Sequence, residues 1–160
     1  MFEAIEYQKM LVNISKNEFA EDIVGILITR PELHVGKEIM KCLNYYHHAS
    51  GECVNFYLPG YGAYWYVAYP NGEVVSKIDD VDWSFSDKLF NSFKNDLENY
   101  SKWEYSGESE LMLLSCKNGV FSFDNAIIRH LDQMLRYKVI NSVSAFFESL
   151  FRVKKKIYIE

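Results

Sequence analysis

Along the first stretch of the chain, Phe2, Ile5, Met10, Leu11 and Ile14 recur at helical spacing, which predicts an amphipathic helix over residues 3–16. The pattern then changes period. Residues 23–29, Ile-Val-Gly-Ile-Leu-Ile-Thr, form a short continuous apolar run, the mark of a strand buried on both faces of a sheet. Pro31 is placed to open a second helix, whose Leu33, Ile39, Met40 and Leu43 share a face and which Gly51 can stop. Cys53 to Leu58 supplies the next strand, so strand, helix and strand follow in order.

After the turn Pro59-Gly60-Tyr61-Gly62, residues 63–69 and 73–78 flank Pro70-Asn71-Gly72, and Asn-Gly predicts an antiparallel hairpin there. Ser86 is a suitable N-cap for a helix carrying Leu89, Phe90, Phe93 and Leu97 on one face. Glu110 to Ser115 reads as a strand, turned back by Lys117-Asn118-Gly119 into residues 120–123. Beyond it, Ile127, Ile128, Leu131, Leu135, Val143, Phe146, Phe147 and Leu150 suggest two C-terminal helices. Together these elements predict an α/β or α+β fold. It is a mixed β-sheet with one β-α-β unit and antiparallel hairpins, flanked by four to five helices.

The 160 residues are expected to form a single globular domain, since no repeat, linker or shift in composition divides them. Hydrophobic residues at 49% and charged residues at 24% exclude a disordered or collagen-like chain. The departure from average is aromatic: 12 tyrosines and 11 phenylalanines must fill a core and leave rings at a surface. A net charge of -5 argues against nucleic acid as a partner. Three cysteines without a CxxC make a poor disulfide framework, and no apolar run is long enough for a bilayer, so a cytoplasmic, membrane-free protein is expected. Abundant Lys, Asn, Ile, Tyr and Phe beside three prolines suggests AT-rich codons and hence a bacterium or phage.

Chemistry is sparse. Glu108 and Glu110, placed in one strand, would point to one face about 7 Å apart, a spacing at which two carboxylates can act as acid and base. Ser109 between them lacks the Gly-x-Ser-x-Gly context of a nucleophile elbow. Arg30, where a buried strand passes into a helix, stands where open α/β sheets hold anionic ligands, although no GxGxxG or phosphate-loop lysine accompanies it. Tyr61, Tyr64 and Trp65 surround two glycines in a loop suited to stacking on a flat ligand or a peptide. Cys42, His47, His48 and Cys53 miss the spacing of structural zinc sites, and Asp79, Asp80, Asp82 and Asp87 miss the EF-hand spacing. No metal and no cofactor are expected.

The reading that follows is a non-catalytic binding or regulatory domain engaging a protein partner, or itself as a homo-oligomer, through an aromatic surface. Two alternatives remain. One is a small enzyme or sensor for a nucleotide, nucleoside or NAD-like ligand, using Arg30, Tyr61 or Trp65, and Glu108 or Glu110. The other is a structural subunit of a larger assembly.

Overall fold

The computed structural model describes residues 2–3, 6–16, 22–51, 54–63, 73–117 and 119–159. In chain order the elements are β1 (Phe2–Glu3), α1 (Tyr7–Lys16), β2 (Asp22–Ile28), α2 (His34–Lys41), α3 (Leu43–Ser50), β3 (Val54–Tyr57), β4 (Tyr61–Ala63), β5 (Glu73–Ile78) and β6 (Val81–Phe85). Then come α4 (Asp87–Tyr100), β7 (Glu110–Cys116), a 3-10 turn at Phe123–Asn125, β8 (Ile127–His130), α5 (Leu131–Arg136) and α6 (Val143–Ile159).

The apolar run at β2 takes the place its pattern requires, in the middle of a five-stranded sheet of order β1-β3-β2-β7-β8. Its alternating residues divide between two cores. Val24, Ile26 and Ile28 face α1 and α4 beside Tyr7, Met10, Phe90 and Phe93. Leu27 faces the other way, toward Ile39, Leu43, Tyr46, Leu131 and Phe147 of the remaining helices. Each such large apolar side chain contributes about 1.5–3 kcal/mol on burial, which is why a strand so covered needs no polar face. β3 pairs parallel to β2, closing the β-α-β unit, whereas β7 and β8 run antiparallel. The fold is α/β with a mixed sheet.

Several expectations change in detail. The helix expected over 3–16 starts at Tyr7, because Phe2 and Glu3 pair as a short strand with Phe56 and Tyr57. The helix expected from Pro31 starts at His34 and breaks at Cys42, whose φ of -115° ends α2 before α3 begins. Gly51, at φ +54°, ends α3 as expected. Ser86 caps α4 by accepting a hydrogen bond from the Leu89 N–H at 3.3 Å.

The hairpin expected at Pro70-Asn71-Gly72, and most of the strand before it, lie outside the described residues. β5 pairs on its described side with β6, a strand the pattern did not reveal. Together with β4 they form a second, antiparallel sheet of order β4-β6-β5. Asp79 and Asp80 make its two-residue turn with φ of 50° and 64°, a left-handed pair that aspartate tolerates. The chain does turn back at Gly119, where Lys117 and Val120 exchange backbone hydrogen bonds, but residues 120–123 form no strand. The partner of β7 is instead β8, in a segment expected to be helical, since a short apolar run does not separate strand from helix by periodicity alone. Six α-helices flank the sheets among the described residues. None of them is long and apolar enough to cross a membrane.

Candidate functional site

Because β2 and β3 end where antiparallel β7 begins, with Ile28 opposite Glu110, the topology gathers Thr29, Arg30, Tyr61, Ser109 and Glu110 at one edge of the sheet. They bond to one another and to their supports. The buried Thr29 and Ser109 hydroxyls lie 2.7 Å apart, and the Tyr61 hydroxyl donates to the Thr29 carbonyl at 2.9 Å. The Ser109 N–H donates to Asp132 Oδ2 at 2.6 Å. Tyr61, expected in a surface loop, is an interior residue at 1% exposure, and burial drives its phenol far above the ordinary range. Gly36 lets α2 close against this edge, since a Cβ there would meet the Arg30 carbonyl oxygen at 2.0 Å.

Arg30 is equally engaged. Its guanidinium lies 4.4 Å from the centre of the Phe90 ring and donates to Asp87 and, at 3.2 Å, to Asn91 Oδ1. Burial raises the phenol pKa of the neighbouring Tyr105, and Arg30 opposes that rise. An anion seeking Arg30 would have to displace a carboxylate already there. Tyr64 and Trp65 lie outside the described residues.

The two glutamates do not form a pair on one strand. Glu110 is the first residue of β7 and is 1% exposed, whereas Glu108 precedes the strand, in the bend at Gly107. Glu110 accepts from the Trp103 indole N–H at 3.1 Å, from the Ser106 N–H at 3.1 Å and from the Ser106 hydroxyl at 2.9 Å, with His130 Nδ1 3.5 Å away. Glu108 accepts two parallel bonds from Arg136, at 2.9 and 3.0 Å, and these hold its carboxyl below the usual range. A lowered pKa is the reverse of what a general acid at neutral pH requires.

The metal readings fare similarly. Among the described residues no three His, Cys, Asp or Glu side chains cluster as a metal site would need. Asp79 meets His48 Nε2 at 2.6 Å, Asp82 lies 3.6 Å from Lys77, and Asp87 holds Arg30, so the acidic residues are spread over three separate contacts. Cys42 is at the α2–α3 junction, and Cys53 is outside the described residues.

A different feature is open. On the sheet face that α1 and α4 cover, the helices stop short of β8 and leave a groove of about 870 Å³. Its lining includes Met112 and Ile128 from the sheet, Tyr100 and Trp103 from the end of α4 and the residues after it, and Phe121 and Phe123 from the segment before β8. Tyr100 stacks on Tyr7 with ring centres 5.5 Å apart yet stays 62% exposed, and Phe121 meets Phe123 edge-on at 5.1 Å. Trp103 is fixed by Glu110, so that carboxylate is a positioning residue for the groove lining. The polar side chains Asn99, Ser101, Lys102, Ser122 and Asp124 share the lining.

No known family matches this chain: comparison with protein-family models, curated proteins and solved structures found nothing similar. The groove escaped the sequence reading because its walls come from the end of a helix and a loop, where no periodicity marks them. The signal available was local, the aromatic pairs Tyr100/Trp103 and Phe121/Phe123 on either side of a strongly apolar strand.

Proposed function

We propose that this protein is a non-catalytic binding or regulatory domain that engages a protein partner through the aromatic groove between Tyr100, Trp103, Phe121 and Phe123. The observation that carries this reading is the contrast of the groove with the strand edge. Tyr100 is exposed and Phe121 and Phe123 are half-buried beside Met112 and Ile128, polar side chains including Lys102 and Asp124 share the lining, and the indole N–H of Trp103 is already bonded to Glu110. Protein interfaces use large aromatic anchors surrounded by a polar rim.

The test is selection of displayed short linear peptides on the folded protein, followed by titration of the tightest one against Phe123→Ala. Phe123 is half-buried in a single 3-10 turn, so its truncation should leave the circular dichroism spectrum intact. We expect binding to weaken by at least tenfold, as for an interface anchor. Peptide affinity unchanged in Phe123→Ala would remove the groove from the function. A thermal shift with a nucleotide, lost in Arg30→Ala, would favour the nucleotide reading instead.

A further inference from the structure

β8 is the end strand of the five-stranded sheet, with β7 as its neighbour on one side. The ladder determines which of its backbone groups are left over. Pairs run Glu110↔His130, Leu111↔Arg129, Met112↔Ile128 and Leu113↔Ile127. The next pair in this register is Ser109 with Leu131, and the Leu131 N–H donates to the Ser109 carbonyl at 3.0 Å. In an antiparallel ladder, hydrogen-bonded pairs alternate with non-bonded ones. Leu111–Arg129 and Leu113–Ile127 are therefore the bonded pairs. The N–H and C=O of Ile128 and the N–H of His130 point away from β7, while the His130 carbonyl turns into the start of α5.

Each face of this edge carries one apolar side chain, with His130 beside Ile128 on one and Arg129 beside Ile127 on the other. Ile128 belongs to the groove lining, and Ile127, on the opposite face, is 47% exposed. Arg129, on the same face as Ile127, is exposed and has no ion-pair partner among the described residues.

We infer that the edge of β8, which no described strand covers, accepts an extended segment of the partner protein as an added antiparallel strand. Its side chains alternate between the aromatic groove and Ile127, and an acidic residue lies opposite Arg129. The inference rests on the groove being the partner site. It supplies the backbone register that the groove alone lacks, since main-chain bonds give a strand-adding peptide its affinity and alternate pockets give it specificity. Charge separates this occupant from a second copy of the chain. Outward-facing residues bond only to outward-facing residues, so pairing Ile128 with Ile128 or His130 of a copy would set Arg129 against Ile127 or against another Arg129. Neither offers a carboxylate, and like charges directly opposite are destabilising.

The tightest peptide from the displayed library is the probe. Bound, it should slow amide hydrogen exchange at Ile128 and His130, read by NMR. Methylating its alternate backbone nitrogens on the bonding side should weaken it by about tenfold or more, while methylating the intervening ones should not. Replacing its acidic residue by the corresponding amide should cost a few-fold, and less at high salt. Binding that depends on Phe123 but leaves the Ile128 and His130 amides exchanging freely would overturn strand addition and leave the groove reading standing. Failure to select any peptide would sink both. A dimer of the free protein that protects the same two amides would show the edge already taken by a second copy, and the inference would be wrong.

Discussion

Two places in this molecule concentrate side chains able to hold another molecule: the edge of the sheet where β2 ends and β7 begins, and the groove beside β8. The first has the chemistry that a sequence reader looks for, with an arginine, a buried glutamate, two hydroxyls and a tyrosine brought together from distant segments. Yet the Thr29 and Ser109 hydroxyls bond each other, Tyr61 bonds Thr29, and Arg30 bonds Asp87 and Asn91. The second place is less enclosed: Tyr100 is exposed, Phe121 and Phe123 are half-buried, and the outer edge of β8 pairs with no described strand. Convergence of functional groups is therefore a weaker sign of a binding site than groups whose bonding capacity is unspent. A buried polar group without a partner is costly, so clusters of them close on themselves unless something holds them open.

Glu110 belongs to both places, and removing it should have the largest effect. Glu110→Ala leaves the Trp103 indole and the Ser106 N–H without their acceptor in a buried site. It is expected to destabilise the fold by about 3 kcal/mol, measured by denaturant titration. Glu110→Gln keeps one acceptor oxygen and should cost less. If both variants unfold with wild-type midpoints, the cluster where β2 ends and β7 begins is not closed on itself.

The same contrast explains what was legible in the sequence. β2 and α4 were, because an uninterrupted β-branched run and a capped amphipathic helix each carry a strong one-dimensional signal. The β-α-β unit followed from the order of β2, the helical stretch after it and β3. β6 and β8 were not. Val-Asp-Trp-Ser-Phe follows a left-handed turn made by two aspartates that reads as an acidic cluster, and Ile127-Ile128 fits helix and strand alike. The candidate residues Arg30, Tyr61 and Glu110 do converge, but burial and mutual bonding are three-dimensional facts that spacing does not carry. Glu108 and Glu110 show this best: two positions apart, one is an exposed partner of Arg136 and the other an interior acceptor.

A middle-sized effect tests Tyr61. Tyr61→Phe removes one buried hydrogen bond and should cost about 1 kcal/mol near neutral pH. Its pH dependence has a definite sign. The folded phenol pKa is raised, chiefly by burial, above its ordinary 10.0. The stabilisation is therefore fully present below pH 10 and is lost as pH rises from there through the folded value. Tyr46, pushed up to about 12, adds a term of the same sign between pH 10 and 12. The advantage of wild type over Tyr61→Phe should shrink above pH 10. An advantage that grows there would mean that the hydroxyl is not held neutral in the fold.

The smallest expected effect comes from the exposed glutamate. Arg136→Ala deletes the two hydrogen bonds that lower the Glu108 pKa, so the carboxyl should move back up toward the ordinary range in an NMR titration. In the wild type a lowered folded pKa gives stability that is present above the unfolded value and lost as pH falls through the folded one. The variant should lack that acid-side loss. Exposed pairs are screened by solvent and salt, so its denaturation midpoint at neutral pH should scarcely move. Against the effect expected for Glu110→Ala, two positions from the Glu108 that Arg136 holds, that near-silence is the sharpest form of the comparison. A carboxylate enclosed by its own donors supports the fold, while one facing solvent is free to change without structural consequence. If Arg136→Ala instead destabilises as much as Glu110→Ala, the bend around Gly107 is part of the closed cluster and the boundary between the two regions lies elsewhere.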